Sequence, residues 1–149
     1  DLYKYALYAL GNAHDAEDVV AETFLEAFRG ISKLREADAF KGWIFKILSI
    51  RIKRRISRYV KEKNQLQIED FAADSALRTD GMDSAVIART DLLQALTILS
   101  PQERMILSLS VLYGYTTKQI SQMLRCPHGT VSSKLHRSLQ KLKKQMEER

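Results

Sequence analysis

The sequence predicts an all-α fold: two small helical domains joined by a linker, the second carrying a helix-turn-helix. Three observations predict it. Apolar residues recur at i, i+3, i+4 spacing, and no stretch alternates apolar and polar over the length of a strand. Only 6 Gly and 2 Pro occur in 149 residues, so helices are seldom interrupted. The charge also comes in blocks. Residues 1–40 hold 4 basic and 8 acidic side chains, residues 41–65 hold 9 and 1, residues 66–91 hold 2 and 6, and residues 92–149 hold 9 and 3. Two separated basic blocks suit two contacts with a polyanion, or two solvated helix faces.

Leu2 to Leu10 reads as a short helix stopped by Gly11-Asn12. The next helix runs from about Asp15 to Arg29. Its apolar stripe is Ala16, Val19, Val20, Thr23, Phe24, Ala27, Phe28 and Ile31, and Asp15, Glu17 and Asp18 sit in its first turn, where the helix dipole favours them. Opposite lie Asp15, Asp18, Glu22 and Glu26, with Leu25 beside them. No His or Asn accompanies these carboxylates at a catalytic spacing, so the chain is not expected to be an enzyme. An apolar residue flanked by acids fits a protein interface better.

Gly30 to Asp38 reads as a loop. A third helix begins near Ala39, with Phe40, Trp43, Ile44, Ile47 and Leu48 as its apolar face and Arg51, Arg54, Arg55 and Arg58 on one stripe of its second half. Like charges at that spacing repel, so this helix is better with an anionic partner. Phe45 and Tyr59 fall off the apolar face and are candidates for stacking on bases.

Lys61 to about Asp83 lacks sustained periodicity and reads as a linker, able to reach about 75 Å if extended. A helix over about Ser84 to Leu99 follows, with Val86, Leu92, Leu93, Leu96 and Leu99 as core. Ser100-Pro101-Gln102-Glu103 is a capping box with proline at the first helical position, opening a helix that ends before Gly114. Thr116-Thr117-Lys118-Gln119 is a second box, opening a short helix through Leu124. Arg125-Cys126-Pro127 interrupts it, and a last helix runs to about Met146 with Val131, Leu135, Leu139 and Leu142 on one side.

A short helix, a tight turn and a longer basic helix is the plan of a helix-turn-helix. The outward face of the last helix presents Ser132, Ser133, His136, Arg137 and Gln140, types that bond base edges, while Lys134, Lys141, Lys143 and Lys144 can reach phosphates.

Other classes are disfavoured. Cys126 is the single cysteine, which excludes an internal disulfide and fits a reducing, cytoplasmic setting. Three scattered histidines, His14, His128 and His136, with the one cysteine are too few for a zinc site, and no metal or cofactor is expected. The longest uncharged run, Met105 to Thr117, is 13 residues and too short to span a bilayer. No secretory signal is visible, although the chain opens on Asp1 and not Met.

The stretch Asp15-Ala16-Glu17-Asp18-Val19-Val20-Ala21-Glu22-Thr23-Phe24-Leu25, followed by Phe40-Lys41-Gly42-Trp43-Ile44-Phe45-Lys46-Ile47, resembles the promoter-melting domain of extracytoplasmic-function (ECF) sigma factors of the sigma-70 superfamily. Leu99-Ser100-Pro101-Gln102-Glu103-Arg104, followed by Gly129-Thr130-Val131-Ser132-Ser133-Lys134-Leu135, resembles their C-terminal domain. The resemblance implies a bacterial transcription initiation factor, with region 2 over 1–60, a linker over 61–83 and region 4 over 84–149. It implies that Asp15, Asp18, Glu22 and Leu25 dock on the clamp of the largest subunit of core RNA polymerase. It implies that Ser32, Lys33, Leu34, Arg35 and Asp38 capture an unpaired minus-ten base; the charge of the Arg51, Arg54, Arg55 and Arg58 stripe, read on its own, suits the single strand beside them. Thr130, Ser132, Ser133, Lys134, His136, Arg137 and Gln140 would read the double-stranded minus-thirty-five element, in a domain that also holds the flap of the second-largest subunit. An anti-sigma factor is a further candidate partner, and the trigger would be a stress or envelope signal. This chain departs from the family at Ile50, where Asn is frequent, at Arg54, where Asp or Asn is, and at Ser132, where a basic residue is. The family's leading domain also has a first helix expected upstream of Asp1. The competing reading is a free-standing helix-turn-helix regulator, which needs only the C-terminal basic block.

Overall fold

The computed structural model describes residues 1–66 and 94–148. The chain divides into two compact units, 1–80 and 81–149. Among the described residues there are helices and turns and no strand. The predicted linker beyond residue 66, and the helix predicted from Ser84 as far as residue 93, lie outside the described residues.

In the first unit, α1 (Leu2–Leu10) is buried from Tyr5 through Leu10 and ends on Gly11 at φ 70°, a left-handed position that glycine adopts without strain. Helix α2 (Ala13–Gly30) starts two residues earlier than periodicity suggests, because the Asn12 side chain accepts the Asp15 N–H at 3.0 Å and caps it. Two 3-10 turns, Ile31–Lys33 and Ala37–Ala39, lead into α3 (Phe40–Leu66). That helix continues past residue 60, so the first residues read as linker are helical.

The core of this unit lies among the three helices, and two apolar faces are rotated from expectation. On α2 the buried residues are the small ones, Ala16, Val19, Thr23 and Ala27, which let neighbouring backbones approach. Phe24 (53% exposed), Phe28 (81%) and Ile31, assigned to the same stripe, face outward. On α3 the inward residues are Ile44, Phe45, Leu48, Ser49 and Ile52. Phe45 is therefore core and not a stacking residue: its ring meets Tyr5 edge-on at 5.7 Å, and the Tyr5 hydroxyl pairs with Ser49 Oγ at 2.8 Å. Tyr59 is likewise committed inside the unit, its hydroxyl bonded to Asp15. Phe40, read as core, is partly exposed beside Trp43.

In the second unit, residues 94–96 are helical, and Leu96 and Leu99 are buried. Both capping boxes form: Ser100 with Glu103 opens α4 (Pro101–Leu107), and Thr116 with Gln119 opens α5 (Thr117–Leu124). A π-helical turn, Ser108–Leu112, extends α4 before Gly114 at φ 73°. Helix α5 ends on Arg125 in the left-handed region at φ 54°, and the Ser121 hydroxyl, donating to the Cys126 carbonyl at 2.7 Å, tightens this turn. Helix α6 (His128–Glu147) follows. Its inward positions are Val131 and Ser138; Leu139, expected inside, is 46% exposed.

Ser138 can be buried because its hydroxyl donates to the Lys134 carbonyl at 2.6 Å, and it lies 3.3 Å from a buried carboxylate. That carboxylate is Glu103, 8% exposed, which accepts the Ser100 N–H at 3.1 Å and the Lys141 ammonium at 3.1 Å on each oxygen. Burial alone would push this carboxyl up. The Ser100 N–H, the Lys141 ammonium and the Ser100 hydroxyl outweigh it together and hold the pKa below the ordinary 4.5. A lowered folded-state pKa means the stability it contributes is present above the ordinary value and is lost as pH falls through the lowered one. Urea unfolding of the full chain should therefore show stability declining below pH 4.5. In Glu103→Gln that decline should be shallower, with neutral-pH stability lower by roughly 1–3 kcal/mol; an unchanged pH profile would refute the assignment.

Candidate functional site

The predicted docking residues divide between two faces of α2. Asp15 and Glu22 turn toward α3. Asp15 pairs with Arg55 at 3.0 Å and accepts the Tyr59 hydroxyl, and Glu22 lies 3.4 Å from Arg55 and 3.7 Å from Arg51. Glu26 completes the ladder at 2.8 Å from Arg51. Burial, then the bond to Asp15 and its negative charge, push the Tyr59 phenol far above its ordinary value of 10, against the opposing Arg55. Asp18 and Leu25 remain outward. Asp18 touches only His14, at 3.6 Å, in the described ion pairs, and Leu25 is 60% exposed. Phe24 and Phe28 extend this outward face and were missed as surface residues, because their spacing reads equally well as core.

The arginine stripe also divides. The Arg55 side chain is 12% exposed and that of Arg51 29%, both drawn toward the α2 carboxylates. Arg54 and Arg58 are exposed. The anionic partner that the stripe needs is thus found partly inside the same unit. The segment before α3 presents Ser32, Lys33, Arg35 and Asp38 to solvent, with Leu34 half-buried. At its end Phe40 and Trp43 lie 6.1 Å apart in a tilted pair, and the Trp43 ring closes over Gly30, where an added Cβ would stand 3.4 Å away.

On α6 the structure brings Ser133, His136, Arg137 and Gln140 together on one exposed face. Thr130 and Ser132 flank it, half-buried. Lys134 does not belong to it: its ammonium is held by the Gln102 carbonyl oxygen, while the Gln102 amide donates to Cys126 Sγ at 2.9 Å. Lys141 is tied to Glu103 in the same way. Gln102, Glu103 and Ser138 were missed as residues that seat this helix, since Gln102 and Glu103 read as no more than a helix start. His128, at the start of α6, meets the Thr117 hydroxyl at 2.8 Å across the turn. Among the described residues no group of three or more His, Cys, Asp and Glu could hold a metal, and no helix is long and apolar enough to cross a membrane.

An acidic-apolar face, an arginine edge beside an exposed loop and a helix with an exposed polar face thus occur in chain order on two helical units. Comparison with known proteins gives this order a counterpart. The Sigma-70 region 2 profile matches residues 1–64, and the Sigma-70, region 4 profile matches residues 89–142. The ECF RNA polymerase sigma factor SigL of Mycobacterium tuberculosis is 31% identical over 150 residues, covering 99% of this chain and 83% of that protein. SigW of Bacillus subtilis, also an ECF RNA polymerase sigma factor, is 28% identical over 98% of this chain and 86% of its own. In fold, the chain matches the sigma factor RpoE of Bartonella quintana, solved with the anti-sigma factor NepR, at a TM-score of 0.79 and 19% identity over 98% of this chain and 89% of that one. With both regions matched in order along most of its length, the chain belongs to the ECF sigma factors of the sigma-70 family.

Proposed function

We propose that the chain acts as a promoter-specificity subunit of bacterial RNA polymerase by binding alone, without catalysis, in the cytoplasm. The outward face of α2 docks on the polymerase clamp, the 31–39 segment with Arg54 and Arg58 engages the single-stranded minus-ten region, and α6 reads the upstream duplex. Residues 1–60, 61–83 and 84–149 serve as region 2, linker and region 4. The observation that carries this reading is the exposed face of α6, four polar side chains long, on a chain whose other unit matches Sigma-70 region 2. The test is in vitro transcription with core polymerase over a genomic library. Chain-dependent initiation at a shared bipartite motif supports it. Duplex binding without any polymerase-dependent initiation would favour the free-standing regulator.

The docking assignment rests on Asp18 and Leu25, which lie outside the ladder to α3, and the carboxylates that pair with arginines are left intact in its test. Asp18→Lys with Leu25→Ala should weaken core-polymerase binding at least about tenfold, with an unchanged circular dichroism spectrum. Full affinity in the folded double variant would refute it.

For the single strand, Arg54 and Arg58 carry the electrostatic contact and the 31–39 segment carries base preference. Replacing both arginines by Ala should lower the salt slope of single-strand binding by about 1.4, at about 0.7 per phosphate contact, without changing which bases are preferred. A salt-insensitive interaction would contradict this.

Arg137 stands on the exposed face, where a guanidinium can take a guanine edge with two bonds. Arg137→Ala should cost about 1–3 kcal/mol and relax one upstream position, read by a promoter mutation series. If wild type and variant rank every upstream base alike, Arg137 is not a reader.

A further inference from the structure

The residues on the back of α6 have no part in the three surfaces above. Lys134, Ser138 and Lys141 are spaced four and three apart, which places them on one stripe away from the reading face. All three face two consecutive residues of α4. Gln102 takes Lys134, Glu103 takes Lys141 at 3.1 Å on each oxygen, and the Ser138 hydroxyl, which donates to the Lys134 carbonyl at 2.6 Å, lies 3.3 Å from Glu103. Gln102 is itself oriented by Cys126 in the turn that precedes α6.

Apolar contact in the far half of this helix is thin, since Leu139 and Met146 are 46% and 75% exposed and Leu142 is half-buried. Apolar packing is also indifferent to small rotations, whereas hydrogen bonds to a fixed carboxylate are not. The rotation matters for reading. Turning a helix by roughly 20° about its axis moves a side-chain tip about 6 Å out by about 2 Å, enough to break a hydrogen bond to a base edge.

We propose that Glu103 is a positioning residue for upstream reading: through Lys141, with Ser138 packed against it, it sets the rotation of α6, and with it the bases that Ser133, His136, Arg137 and Gln140 meet. The inference rests on α6 being the reading helix. It gives the Glu103 carboxylate a second effect, because holding Lys141 keeps that cation off the DNA phosphates. Loss of the carboxylate therefore has opposite consequences for specific and non-specific binding, which general destabilisation would not produce.

The experiment uses holoenzyme reconstituted from the full chain and core polymerase. The probes are a promoter fragment recovered from the transcription library and the same fragment with its upstream element scrambled. In Glu103→Gln, preference for the intact element should fall about tenfold, while affinity for the scrambled fragment rises up to about twofold as Lys141 joins the phosphates. Lys141→Arg should keep the wild-type preference, and Lys141→Met should lose it without the non-specific gain. Amide hydrogen exchange on the DNA-free full chain adds a second readout: residues 138–147 should exchange about tenfold faster in Glu103→Gln and Lys141→Met. Unchanged preference, a parallel loss on both fragments, or unchanged exchange overturns the proposal. A wild type that shows no preference between the fragments overturns the reading helix itself, and is distinguished by that control.

Discussion

The Arg55 guanidinium sits between Asp15 at 3.0 Å and Glu22 at 3.4 Å, with its side chain only 12% exposed. Such a cation is tolerated because two carboxylates replace the water it gives up. Glu22 is shared with Arg51, and Arg51 with Glu26, so one ladder of charge joins α2 to α3. This ladder decides which side chains are left over for partners. It engages Asp15, Arg51 and Arg55 inside the unit and leaves Asp18, Leu25, Arg54 and Arg58 outside the ladder. It also accounts for the opposite charge of the first two sequence blocks, whose excess acid and excess base meet in space.

The second unit repeats the device with a single carboxylate. Glu103 closes the capping box of α4 and also bonds Lys141 of α6, so the local signal for a helix start and the long-range seat of another helix reside in one side chain. Gln102 does the same for Lys134. In both units, basic residues that charge counting assigns to a polyanion are held by the protein's own acids or amides.

Helix starts were legible because they are local: Ser100 with Glu103 and Thr116 with Gln119 are written within four residues, and both boxes form. The two-domain helical plan and the family followed from periodicity and motif order. The faces were less legible. Period 3.6 marks a stripe on α2 about half a turn wide, and nothing local tells that its small half, Ala16 to Ala27, goes inside while Phe24 and Phe28 stay out. Phe45 was misplaced for the same reason, since its partner Tyr5 lies 40 residues away. The ion pairs between helices join residues 25 to 40 apart and leave no trace in spacing.

The outward aromatic face of α2 also bears on how long a copy of the chain lasts. Phe24, Leu25 and Phe28 on one helix hold apolar area that water solvates at a cost of about 25 cal/mol per Å². Any partner that covers them stabilises the folded unit by mass action, by about 2.7 kcal/mol at a hundredfold excess over Kd. Bound copies then unfold less often than free ones, and it is the free ones that proteases reach. Exposed aromatic area on the chain thus ties its abundance to the supply of whatever it binds.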